Sequence, residues 1–156
     1  MLERGLLVIT LAAGAALGIF WPTHKTEPAA QGIEITLQRS SDRHFYATAN
    51  VNGHDVRFLV DTGASEIALT EDDARKAGIK FDPQKYELLG EGASGFVRGQ
   101  YVELDDIQLD GIEQKGAKAA VVEGATVSLL GQPFLENIDE IVIRKGEMLL
   151  RDQKNS

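Results

Sequence analysis

The sequence predicts a mostly β domain of single-lobe size with one or two short helices, preceded by an N-terminal transmembrane helix. Three observations predict it. Short apolar runs alternate with polar residues between Asn-Gly, Asp-Gly and Lys-Gly turns, helix-start chemistry is clear only once in the body of the chain, and the N-terminus opens on a long uncharged run. A length of 156 residues allows one ordinary domain, and 43% hydrophobic with 26% charged residues is globular composition. The formal charge of −8, with no basic run, argues against a nucleic-acid binder. With no Cys, disulfides, thiolate zinc sites and cysteine catalysis are excluded, while the compartment stays open. His24, His44 and His54 never fall at i,i+4, so no zinc site and no cofactor are expected.

Residues Gly5 to Trp21 run 17 positions without a charge. As a helix this run spans roughly 25 Å, slightly less than a hydrocarbon core, with Trp21 suited to the interface. A cleaved signal peptide is the competing reading, with Arg4 as a thin basic region. Pro28-Ala29-Ala30 is a poor cleavage site, which favours an uncleaved anchor. Arg4 and the amino terminus oppose His24 and Lys25, so the positive-inside rule does not orient the segment. Residues 1–21 are therefore taken as the anchor, 22–31 as a Pro-containing linker, 32–151 as the folded domain and 152–156 as a tail. The first 30 residues hold two basic and two acidic side chains, so the rest keeps the whole −8.

The body begins with Ile33, Ile35 and Leu37 in strand alternation. Phe45–Val51 and His54–Val60 flank Asn52-Gly53, a type I′ hairpin signal because both turn residues need positive φ. Ile67–Leu69 is a short strand. Thr70 then caps a two-turn helix with acids in its first turn, Asp73 in the capping-box position and Gly78 at its end. Tyr86–Leu89 and Phe96–Leu104 read as strands around Gly90-Glu91-Gly92-Ala93-Ser94-Gly95. Ile107–Leu109 and a strand near Lys118–Val122 follow, with Asp105-Asp106 and Asp110 assigned to polar turns. Leu129-Leu130-Gly131 precedes a short helix from Pro133 to Glu136, and Ile141–Ile143 pairs with Met148–Leu150 across Lys145-Gly146. The count is eight or nine short strands.

The chemistry concentrates at Phe58-Leu59-Val60-Asp61-Thr62-Gly63-Ala64-Ser65, where an apolar strand runs straight into Asp-Thr-Gly. A carboxylate beside Leu59 and Val60 needs hydrogen bonds, a partner or a shared proton. Gly63 allows a tight turn that brings backbone N–H groups to it, and Thr62 adds a hydroxyl.

These residues resemble the retropepsin-like aspartic proteases, in particular the bacterial membrane-anchored type. Val127-Ser128-Leu129-Leu130-Gly131, about 65 residues later, is similar to the family's two-hydrophobics-then-Gly element, and Gln132-Pro133-Phe134-Leu135 follows it. Gly90–Val97 lies where the family carries its glycine-rich flap, and the likeness covers roughly residues 32–151. One departure stands out: Ser65 and Gln132 occupy places where many retroviral members hold an Asp and an Arg, so both halves of an ion pair are missing together. The resemblance implies a closed β domain, with Asp61, Thr62 and Gly63 catalytic. It places Ala64, Ser65, Gly92, Ala93, Ser94 and Gly95 against a peptide or protein substrate. It also implies a single-pass inner-membrane protein whose domain faces the periplasm.

Aspartic-protease chemistry needs two carboxylates about 3 Å apart sharing one proton. This sequence has one Asp-Thr-Gly, and no other Asp has a matching context, so a homodimer supplying two Asp61 side chains is expected. The alternative is a non-catalytic, membrane-tethered peptide- or protein-binding module with the same fold. Gly90-x-Gly92-x-x-Gly95 matches a dinucleotide fingerprint, but strand-like residues follow it instead of a helix, so a hairpin over the site is the better reading. Ser65 lies outside any Gly-x-Ser-x-Gly elbow, which excludes a serine hydrolase.

Overall fold

The computed structural model describes residues 32–92 and 95–153. The expected anchor at 1–21 and linker at 22–31 lie outside them, as do Ala93 and Ser94. No helix among the described residues is long and apolar enough to cross a membrane.

Two sheets form the domain. The smaller has β1 (Ile33–Gln38), β10 (Glu147–Asp152) and β9 (Glu140–Arg144) in that order, all antiparallel. The larger runs β2 (Tyr46–Val51), β3 (His54–Val60), β8 (Ser128–Leu130), β4 (Ile67–Thr70), β7 (Ile112–Val122), β6 (Gly95–Leu109) and β5 (Glu87–Gly92). Pairing of β2 with β6 at Asn50–Gln108 and Val51–Ile107 closes this sheet on itself, as the expected closed β domain requires. Inside it Phe58, Ile67, Leu69, Leu104, Ile107, Leu130 and Phe134 are fully buried, each worth roughly 1.5–3 kcal/mol of apolar transfer.

The turns follow their residues. Asn52 and Gly53 have φ of 50° and 87°, Asp110 and Gly111 43° and 98°, and Lys145 and Gly146 50° and 85°. Each pair supplies the two positive φ values of a type I′ turn between antiparallel strands. Gly78, at φ 69°, follows the C-cap of α1 (Glu71–Lys76). α2 (Gln132–Leu135) starts with Pro133 in its first turn, and a single 3-10 turn covers Pro83–Lys85.

Several expectations are corrected. Phe96–Leu104 and Ile107–Leu109 are one 15-residue strand, β6, so Asp105-Asp106 is strand and not turn. Asn52 holds it there: its N–H donates to the Asp106 carbonyl at 3.1 Å, and its Oδ1 accepts the Asp106 N–H at 3.2 Å. β7 begins at Ile112, well before Lys118, and the described residues form ten strands. The capping box is also remade. Thr70 accepts the Asp73 N–H at 3.1 Å as expected, but the short Asp73 carboxylate instead accepts the buried Ser128 hydroxyl at 2.6 Å. Ser128 Oγ in turn accepts the Thr70 N–H at 3.1 Å, which ties α1 to β8.

Candidate active site

Asp61 sits where three strands meet. β8 lies between β3, to which it runs parallel, and β4, to which it runs antiparallel. Leu59 and Val60 are in register with Leu129 and Leu130, and the Asp61 N–H continues the ladder to the Leu130 carbonyl at 3.1 Å. The chain then turns: the Ala64 N–H donates to the Asp61 carbonyl at 3.2 Å, and the Gly63 N–H donates to Asp61 Oδ1 at 2.8 Å. That bond fixes the direction of the carboxylate. A Cβ on Gly63 would lie 3.3 Å from that same oxygen.

The late glycine element closes the turn from the other side. The Gln132 N–H donates to the Ala64 carbonyl at 2.9 Å, and Gln132 Nε2 donates to the Thr62 carbonyl at 2.5 Å. Gly131 lets the two backbones cross, since a Cβ there would sit 2.1 Å from the Glu66 carbonyl oxygen and 2.7 Å from that of Ala64. The place read as lacking an ion pair therefore carries a side-chain amide that grips the Asp-Thr-Gly backbone.

A cleft of about 530 Å³ opens over Asp61. Gly63, Ala64, Ser65, Glu66 and Ala68 form its floor, β5 residues Leu89–Gly92 and Val97 of β6 its roof, and Ala120, Val122, Val127 and Leu129 its walls. Of the residues singled out in the sequence, Asp61, Gly63, Ala64, Ser65 and Gly92 line it. Thr62 is exposed beside it, Gly95 pairs with Gly92 at the hairpin tip without lining it, and Ala93 and Ser94 lie outside the described residues. Sequence reasoning missed Glu66, Tyr101, Ala120 and Val122. Glu66 had a signal, being next to the Asp-Thr-Gly-Ala-Ser run, whereas Ala120 and Val122 enter only because β7 pairs with β4.

The roof is an antiparallel hairpin of β5 and β6, not the strand-to-helix turn of a dinucleotide site. Its root is pinned. Arg98 Nη2 donates to the Tyr86 carbonyl at 3.0 Å and Nη1 pairs with Glu123 at 3.2 Å. The buried Tyr86 hydroxyl donates to Glu71 at 3.0 Å, and burial, helped by that bond, pushes its pKa up to about 12. At the tip, Gly95 takes φ 111°, which side chains avoid, and a Cβ on Gly92 would press on Val97 at 3.2 Å. Gly92→Val is therefore expected to lower kcat/KM on any cleaved peptide about ten- to a hundredfold without changing the melting temperature. Unchanged kinetics would deny the hairpin a role in covering the site.

Asp61 has no second carboxylate in hydrogen-bonding contact among the described residues. One chain thus presents a fixed carboxylate in a roofed cleft.

Comparison with known proteins agrees with this geometry. Residues 47–137 match the family described as "gag-polyprotein putative aspartyl protease". An uncharacterized protein in the cobV 5′ region of Sinorhizobium sp is 37% identical over 121 residues, covering 76% of this chain and 52% of its own length. An uncharacterized protein of Rickettsia prowazekii (strain Madrid E) is 39% identical over 118 residues, covering 75% and 51%. The chain thus spans about half the length of the curated relatives it matches. Among solved structures, a retropepsin-like aspartic protease from Rickettsia conorii superposes with TM-score 0.65 and 35% identity, over 78% of this chain and 92% of that one. EIAV protease, complexed with the inhibitor HBY-793, superposes with TM-score 0.54 at 18% identity over 67% and 97%, a likeness of fold.

Proposed function

The chain belongs to the retropepsin-like aspartic protease family, and from that premise we propose that it is an aspartic endopeptidase working as a homodimer. The observation that carries the proposal is the fixed Asp61 carboxylate at the floor of a groove roofed by a glycine-rich hairpin. Two such chains related by a two-fold axis bring two Asp61 carboxylates together. Like charges that close share one proton. The ionised Asp61 takes a proton from water as it attacks the peptide carbonyl, while the protonated one polarises the carbonyl oxygen. That proton then passes to the leaving amine. The hairpin closes over the peptide and keeps bulk water from the pair. Digestion of a peptide library by the full-length chain in detergent tests this. Cleavage that a peptide-like transition-state mimic suppresses supports it, and a proven dimer that cleaves nothing refutes it.

The proposal extends to placement. The uncharged run Gly5–Trp21 with no good cleavage site after it supports an uncleaved anchor, and the resemblance to the bacterial membrane-anchored type supports the inner membrane with the domain on the periplasmic side. Intact mass of the membrane-extracted protein checks this. The full chain mass is expected, and loss of the first 20–30 residues would overturn the anchor.

A further inference from the structure

The roof of the cleft has almost no core of its own. β5 is an edge strand that pairs with β6 alone among the described residues, and of Glu87–Gly92 only Leu89 is half-buried while the others are exposed. A segment with so little buried apolar surface sits at the low end of local stability, so its pose depends on the polar contacts at its root. Those contacts converge on Arg98. Val97 lines the cleft and neighbours along a strand point to opposite faces, so Arg98, next in β6, lies on the outer face of the hairpin, opposite Leu88. Its guanidinium spans two segments: Nη2 donates to the Tyr86 carbonyl, where the chain enters β5, and Nη1 pairs with Glu123, where it leaves β7. Both ends are fixed. The buried Tyr86 ring stacks on Phe81 with centroids 6.3 Å apart, and its hydroxyl donates to Glu71 of α1. The Glu123 N–H donates to the Arg98 carbonyl at 2.9 Å, and the chain beyond Glu123 runs to Ala125 and Val127 on the cleft wall.

We propose that Arg98 is a positioning residue for peptide hydrolysis, fixing from outside the cleft the pose of the β5–β6 roof over Asp61. The inference rests on the peptidase reading above and adds a residue that is not part of the cleft lining. A planar guanidinium with its donors in a fixed fork holds a carbonyl and a carboxylate at once, which a Lys ammonium on a flexible stem does not reproduce. Arg98 and Glu123 are both half-exposed, and such ion pairs add little to global stability, so the expected effect falls on the roof and not on the fold. Loosening the root lowers the fraction of chains whose roof is posed to receive a peptide, and apparent affinity falls by that fraction. The Asp61 turn is held separately, by the Leu130 carbonyl and the Gln132 N–H, so the chemical step keeps its rate once the peptide is covered.

The test compares full-length wild type with Arg98→Met, which keeps the aliphatic stem and removes both contacts, on one uncharged apolar peptide. KM is expected to rise about tenfold, with kcat within about twofold and the melting temperature unchanged. The Kd of a peptide-like transition-state mimic should rise by the same factor. Arg98→Lys and Glu123→Gln should each raise KM about threefold. Adding Glu123→Gln to Arg98→Met should change nothing further, because the shared contact is already gone. Hydrogen exchange reads the roof without catalysis: amides of residues 87–92 and 95–99 should exchange faster in Arg98→Met, while those of β3 and β8 keep their wild-type rates. Unchanged KM and unchanged exchange in Arg98→Met, beside a wild type that cleaves, overturn the role of Arg98 and leave the peptidase reading intact. A kcat and a melting temperature that fall together overturn it too, because Arg98 would then hold the fold. A wild-type dimer that cleaves nothing refutes the peptidase reading and with it any positioning role.

Discussion

Asp61→Asn is expected to abolish peptide hydrolysis, lowering kcat by at least about a thousandfold, with melting temperature and dimer mass unchanged. Asn is nearly isosteric, and its Oδ1 still accepts the Gly63 N–H now held at 2.8 Å, so the turn keeps its shape. An amide cannot accept and return the shared proton, so the acid–base step stops while the groove remains. Residual cleavage within about tenfold of wild type would move the chemistry away from Asp61.

Gly131→Ala is expected to be strongly destabilising, costing about 4 kcal/mol or more of a typical 5–15 kcal/mol stability. The added Cβ would meet the backbone oxygens of Glu66 and Ala64 at 2.1 and 2.7 Å, and backbone on both sides of a crossing cannot swing aside as a side chain can. Gly90→Ala is the control, because a Cβ there meets nothing within 4 Å. It should change the denaturation midpoint by no more than about 0.5 kcal/mol equivalent. Similar midpoints for the two variants would mean that the strand crossing does not hold the fold.

Local chemistry was readable from the sequence where it stood alone. Asn52-Gly53, Asp110-Gly111 and Lys145-Gly146 declare their turns because positive φ is demanded at both places. Thr70 declares a helix start because its hydroxyl takes an otherwise unpaired N–H. Asp-Thr-Gly after a buried strand declares a carboxylate in need of partners. Long-range pairing was hidden. The contact between β3 and β8 joins Phe58 to Ser128, and nothing local in either segment names the other. Asp105-Asp106 reads as a turn because two acids in a row avoid strands, yet Asn52 supplies the hydrogen bonds that keep β6 extended through them. Asp73 reads as a reciprocal cap, but only the fold brings Ser128 within reach of its carboxylate. Gln132 reads as one half of a missing ion pair. The structure makes it a neutral clamp on Thr62, a role that a residue pattern built on charge does not anticipate.

The central claim is that each active site takes Asp61 from two chains, and subunit mixing tests it most directly. Wild type and Asp61→Asn chains are combined in equal amounts and left until exchange, followed by mass, is complete. Random pairing leaves about one quarter of the dimers with two carboxylates, and a mixed dimer faces its single Asp61 with an amide. Activity should therefore fall to about a quarter of that of the same total amount of wild-type protein. A value near one half would mean that each chain works alone, and the shared site would be wrong.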